Sequence, residues 1–203
     1  MTKIKFCGLS HFCDIQAANT LQPEYIGFVF YPPSFRSISF QRAEKLKKYL
    51  SPHIQAVGVF VNEKPKIIAR FLEEGIIDIA QLHGSEDNAY VKKLQRLTRK
   101  PLIQAYRVSS YDQILAAQNS FADYILLDSG AGTGTTFDWE LLSTINRPYF
   151  LAGGLHPGNV ETVIRRFHPY GIDVSSGIET TKRKDKNKMA AFIQNARKEE
   201  IYE

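Results

Sequence analysis

YFLAGGLHPGNVETVIRRFHPYGIDVSSGIE, residues 149–179, divides into segments of different period. Its two apolar runs, YFLAG (149–153) and GIDVS (171–175), have the length and composition of buried strands. Between them NVETVIRRF (159–167) repeats apolar residues at helical spacing. A strand, a helix and a second strand in so short a span make a crossover unit, which sets the two strands parallel. Each strand also runs directly into a glycine-bearing loop, GG at 153–154 and SSG at 175–177.

The same alternation extends back through the chain. Further strands are expected at KIKFC (3–7), YIGFVF (25–30), QAVGVF (55–60), DIAQLH (78–83), LIQAY (102–106) and YILLD (124–128). Helical stretches separate or follow them at FQRAEKLKKYL (40–50), KPKIIARFLEEG (64–75), EDNAYVKKLQRL (86–97) and KNKMAAFIQNARK (186–198). A fainter helical period runs through 11–19, 110–118 and 138–145. The strands are apolar along nearly their whole length, as parallel strands covered by helices are. Eight such units predict an α/β fold, a (β/α)8 TIM barrel forming a single domain over residues 1–203. Periodicity does not show closure, so an open doubly wound sheet is the alternative.

Composition narrows the function classes. The 203 residues are 43% hydrophobic and 23% charged, the balance of a folded globular domain. No apolar run approaches the ~20 residues of a membrane-spanning helix, and MTKIKFCGLS lacks the apolar core of a signal peptide. Cys7 and Cys13 stand without a matching His/Cys pair, so neither a disulfide scaffold nor a metal site is expected, and a reducing cytoplasm is the expected compartment. The net charge is +5, with 26 basic and 21 acidic residues. Part of the excess lies in KRKDKNK (182–188), which has no interleaved aromatic residue. It reads as a solvated surface stretch rather than a nucleic-acid patch. Attraction of a small anionic substrate fits the charge as well.

In a (β/α)8 barrel the chemistry lies at the C-terminal ends of the strands. Cys7 ends the first strand and Asp128 the sixth. Strands seven and eight stand between them in a closed ring, so the two side chains are expected to face each other across the mouth. The glycine loops after those two strands (Gly153, Gly154, Gly177) suit a phosphate, which would then lie between a thiol and a carboxyl. GTGTT (132–136) is a third such loop. One proton donor and one proton acceptor on opposite sides of a small molecule need no metal and no cofactor. Arg36, in the loop after strand two, has the planar fork that holds a carboxylate, or else forms a surface ion pair. His83, after strand four, is placed to stack on or hydrogen-bond a ligand, or to cap its loop.

KFCG (5–8), GFVFYPPSFRSIS (27–39), VGVFVN (57–62), QLHG (81–84), LLDS…GTGTTFDW (126–139), LAGGLHPGNV (151–160) and DVSSGIE (173–179) together resemble the phosphoribosylanthranilate isomerase family. The resemblance runs in order over nearly the whole chain. It implies a cofactor-free barrel enzyme of tryptophan biosynthesis, with a small-molecule substrate, phosphoribosylanthranilate, and with neither nucleic acid nor membrane as partner; it fits a monomer or a homodimer. In the family the strand-one cysteine is the general base and the strand-six aspartate the general acid, roles that fall on Cys7 and Asp128. Substrate-binding roles fall on Arg36 (the anthranilate carboxylate), on Gly132, Gly134, Gly154, Ser176 and Gly177 (the phosphate) and on Asp173 (ribose hydroxyls), with His83 beside the ligand. Three segments depart from the family pattern: CGLSHFCD (7–14) has Leu9-Ser10 where Ile-Thr is common and Cys13 where an acidic residue is frequent, Phe35 stands where proline or lysine is usual, and ETTKRKD (179–185) is more basic than usual. The related sugar isomerase of histidine biosynthesis carries an aspartate on strand one, which Cys7 disfavours. A non-catalytic metabolite sensor would need neither Cys7 nor Asp128.

Overall fold

The computed structural model describes residues 1–128, 142 and 144–198. Eight strands form a closed barrel in chain order: β1 (Lys3–Cys7), β2 (Tyr25–Val29), β3 (Gln55–Phe60), β4 (Ile79–Leu82), β5 (Leu102–Arg107), β6 (Tyr124–Asp128), β7 (Tyr149–Ala152) and β8 (Gly171–Val174). Every ladder in it is parallel. Closure is made by β8 on β1, with Lys3 opposite Gly171 and Phe6 opposite Val174, and it rules out the open sheet.

The helices alternate with the strands: α1 (Phe12–Leu21), α2 (Phe40–Lys47), α3 (Pro65–Glu73), α4 (Asn88–Gln95), α5 (Tyr111–Gln118), α6 (Val160–Phe167) and α7 (Lys186–Ala196). Their starts carry residues that satisfy the free N–H groups of a first turn. Ser39 accepts from Arg42 N–H and Asp87 from Tyr90 N–H, while Pro65 opens α3. The expected helix at 138–145 falls almost wholly outside the described residues.

Alternate strand residues sort into two apolar cores, as a period of two requires. Tyr25, Val57, Ile79, Ile103, Leu126 and Phe150 fill the barrel interior toward the N-terminal ends of the strands. Ile26, Phe28, Ala56, Phe60, Ile125 and Leu127 belong to the larger core between barrel and helices. Each fully buried Phe, Leu or Ile contributes about 1.5–3 kcal/mol.

The bottom of the barrel is pinned by three carboxylates placed in the same way. Glu24, just before β2, accepts from Ile4 N–H of β1; Asp78, before β4, accepts from Ala56 N–H of β3; Asp123, before β6, accepts from Leu102 N–H of β5. Each ties the start of an odd-numbered strand to the turn that leads into its neighbour.

A departure from expectation follows β8. A 3-10 turn (Ser176–Ile178) leads into a small antiparallel hairpin, β9 (Glu179–Thr180) with β10 (Arg183–Lys184). The basic stretch is therefore not uniformly solvated. The Lys184 side chain is 3% exposed and reaches into the barrel mouth. Alternation along β10 turns Arg183 and Lys184 to opposite sides, which composition does not reveal.

Candidate active site

A cavity of about 370 Å³ opens at the C-terminal ends of the strands, a size suited to a small metabolite. Cys7, Arg36, His83, Asp128, Gly154, Asp173 and Ser176 all line it. Six strand ends with the loops that follow them thus deliver the expected groups to one cavity. Gly132 and Gly134 lie outside the described residues. Gly177 stands one residue past the lining, where a Cβ would come within 1.9 Å of the Leu155 carbonyl oxygen. Its glycine identity lets the loops after β7 and β8 touch. Gly154 takes a positive φ of 63°, a backbone state that favours glycine.

Cys7 is buried at the top of β1, beside Val29 and Val59. Burial pushes its thiol above the usual range, with Lys5 and Lys184 pulling the other way and Asp173 adding to the rise. Lys5, two residues earlier on the same strand face, is wholly buried and donates to Asp173 Oδ1 at 3.0 Å. Burial works against its charge, but Asp173 and Cys7 outweigh that and hold its ammonium above the usual lysine range. Lys184 donates to Ser175 O at 2.9 Å and to Glu179 Oε1 at 2.6 Å, and Ser175 Oγ donates to Cys7 O at 3.1 Å. Burial pulls the Lys184 ammonium down, opposed by Glu179.

Across the ring, Asp128 Oδ2 lies 3.8 Å from His83 Nε2. Burial lowers the basicity of the imidazole, with Asp128 and Asp173 opposing. His83 Nδ1 and Gln81 Nε2 lie 2.8 Å apart; with the amide nitrogen donating, His83 turns an N–H toward Asp128. Gln81 is almost completely buried on the cavity wall, and its Oε1 has no partner within the described residues. A neighbouring cavity that shares His83 and Asp128 adds Arg107 from the end of β5, in register with Asp128 on β6.

Arg36 is held by Glu179 through two parallel bonds, Nε to Oε1 and Nη2 to Oε2, both 2.7 Å. Burial raises the Glu179 carboxyl, and its bonds to Arg36 and Lys184 outweigh that, leaving it below the usual range.

Sequence reasoning did not single out Glu179, Lys184, Gln81 or Arg107. Position offered a signal for Arg107, the last residue of its strand, and for Gln81, a polar residue inside an apolar run two before His83. Glu179 and Lys184 gave none, because the hairpin that turns them inward has no strand-like pattern. Among the described residues, no group of three or more His, Cys, Asp or Glu side chains is placed to hold a metal.

The family model described as N-(5′-phosphoribosyl)anthranilate (PRA) isomerase matches residues 4–195. The N-(5′-phosphoribosyl)anthranilate isomerase of Lacticaseibacillus casei (strain BL23) is 42% identical over 203 residues, covering 100% of this chain and 98% of its own. The crystal structure of phosphoribosyl anthranilate isomerase from Thermotoga maritima superposes with a TM-score of 0.88 at 35% identity, over 97% of this chain and 99% of that one. A phosphoribosyl anthranilate isomerase solved in complex with reduced 1-(o-carboxyphenylamino)-1-deoxyribulose 5-phosphate superposes with a TM-score of 0.86, also at 35% identity, over the same shares of both chains. With matching residues from the first strand to the last helix, and the same closed barrel, the chain belongs to the N-(5′-phosphoribosyl)anthranilate isomerase family.

Proposed function

We propose that Cys7 and Asp128 carry the acid–base chemistry of the family's reaction in this chain. That reaction converts N-(5-phospho-β-D-ribosyl)anthranilate to 1-(2-carboxyphenylamino)-1-deoxy-D-ribulose 5-phosphate, a step of tryptophan biosynthesis. Asp128 protonates the furanose ring oxygen. The C1′–O bond breaks with its electrons going to that oxygen, and the nitrogen lone pair forms a protonated Schiff base. Cys7, as thiolate, takes the C2′ proton, and the C–H electrons become the C1′–C2′ double bond of an enolamine. Return of a proton to C1′ and loss of the C2′ hydroxyl proton give the ketone, so atoms and charge balance.

The observation that carries this reading is the shared cavity: thiol and carboxyl line it from β1 and β6, with the loops of β7 and β8 between them. The phosphate is assigned to those loops, at Gly154, Ser176 and Gly177, with Gly132 and Gly134 completing it. Arg36 takes the aryl carboxylate. Asp173 and the unpartnered Gln81 Oε1 accept from ribose hydroxyls, while His83 presents Nε2 to Asp128 across 3.8 Å. Burial of the thiol is the cost of this arrangement, and the buried ammonium groups of Lys5 and Lys184 offset it by favouring the thiolate. The reaction belongs in a reducing compartment, the cytoplasm, where Cys7 stays unoxidised. Among the described residues no helix is long and apolar enough to cross a membrane.

Purified protein mixed with phosphoribosylanthranilate, without metal or nucleotide, is expected to remove the anthranilate fluorescence of the substrate. Cys7→Ala and Asp128→Ala should each slow turnover by about a hundredfold to ten-thousandfold. Turnover at the parent rate in either variant overturns that residue's assignment.

A further inference from the structure

Arg36 is fixed on three sides, and one of them is peculiar to a residue that the cavity does not include. Glu179 occupies the Nε–Nη2 edge of the guanidinium through its two 2.7 Å bonds. The Phe35 ring lies under the flat face, 4.2 Å from Cζ to the ring centroid. Gly8 gives room for the stem: a Cβ there would sit 2.5 Å from Arg36 Cδ. Among the described residues nothing accepts from the outer Nη1–Nη2 edge, and Arg36 lines the cavity. A guanidinium has two edges that each match a carboxylate. One is taken by the protein and the other is left for a ligand.

Phe35 is 56% exposed. Lys182 also lies over it, 5.5 Å from Nζ to the centroid. Lys182 sits at the tip of the β9–β10 hairpin, where both Thr181 and Lys182 adopt positive φ, 49° and 62°, a state that non-glycine residues rarely take. The hairpin is anchored behind by Thr180 Oγ1 donating to Asp185 and by Lys188 donating to Glu179 O. Two of the three segments that depart from the family pattern in sequence, around Phe35 and in 179–185, therefore meet in space.

We propose that Phe35 and Glu179 are positioning residues that set the plane of the Arg36 guanidinium and reserve its outer edge for the substrate's aryl carboxylate, with Lys182 holding the ring in place. The proposal rests on the reading of Arg36 as the carboxylate-binding group. A carboxylate meets a pre-aligned fork without the entropy of ordering a long side chain, so the gain is in binding and not in the proton transfers.

Steady-state kinetics with phosphoribosylanthranilate test it. Phe35→Leu, a change at an exposed ring, is expected to raise KM about three- to fivefold with kcat within twofold. Glu179→Gln is expected to raise KM about tenfold or more. Arg36→Met should raise KM more than either, and in that background Phe35→Leu should have no further effect. An unchanged KM in Phe35→Leu, or the same increase with and without Arg36, overturns the positioning role. If Arg36→Met itself leaves KM unchanged, the reading of Arg36 fails instead, and the two failures are distinguishable.

Discussion

A thiol serving as a base must lose its proton, and Cys7 sits where burial makes that harder. The two ammonium groups beside it act in the opposite sense, one from its own strand and one from the β9–β10 hairpin. The sign of the pH dependence follows. With the thiol raised, kcat/KM should climb with pH through and beyond the ordinary thiol range, since the thiolate is the minor form at neutral pH. Lys184→Met removes one of the opposing charges, so the ascending limb should move to higher pH and activity at pH 7 should fall about three- to tenfold. A pH–rate profile of both proteins decides this; an unmoved limb would mean that Lys184 does not act on the thiol. Cys7 itself was legible from its place at a strand's end. Lys184 was not, because a lysine among five basic residues carries no mark of being buried.

At the scale of elements, the two ends of the strands differ: the C-terminal ends line the cavity and the N-terminal ends carry register. Glu24, Asp78 and Asp123 each accept an N–H near the start of the preceding odd-numbered strand, from Ile4, Ala56 and Leu102. Removing such an acceptor leaves a donor poorly satisfied. Asp123→Ala should therefore cost about 1–3 kcal/mol of stability. Urea unfolding would register the loss as a lower midpoint at unchanged slope, while kcat and KM stay near the parent values. The strands themselves were readable because their apolar runs are continuous. Their ends were read a residue too far at 25–30, 149–153 and 171–175, where β2, β7 and β8 stop at Val29, Ala152 and Val174. A Phe, Gly or Ser that begins a loop carries the same identity as one that ends a strand.

Across the whole molecule, the net charge of +5 meets a substrate bearing a phosphate and a carboxylate. Arg36 and Arg107 bring basic groups to the mouth, with Lys5 and Lys184 buried behind it, and Asp128, Asp173 and Glu179 partly balance them. Long-range attraction of this kind is screened beyond about 10 Å at ~0.1 M salt. Raising ionic strength from ~0.01 M to ~0.3 M should lower kcat/KM about two- to fivefold, chiefly through KM. A salt-independent KM would show that the net charge plays no part in capture.

What the amino-acid order alone determined was the alternation of strand and helix, the eightfold count, and the loops on which Cys7, Arg36, His83, Asp128 and the glycines stand. Those features are local: periodicity and turn chemistry act over a few residues, so one stretch of chain contains its own answer. Closure of β8 onto β1, the burial of Lys184, the Glu179 bridge and the meeting of Phe35 with Lys182 were decided only by the tertiary structure. Each joins residues far apart in the chain or depends on which way a short hairpin turns, and neither distance nor facing is written in a residue's identity.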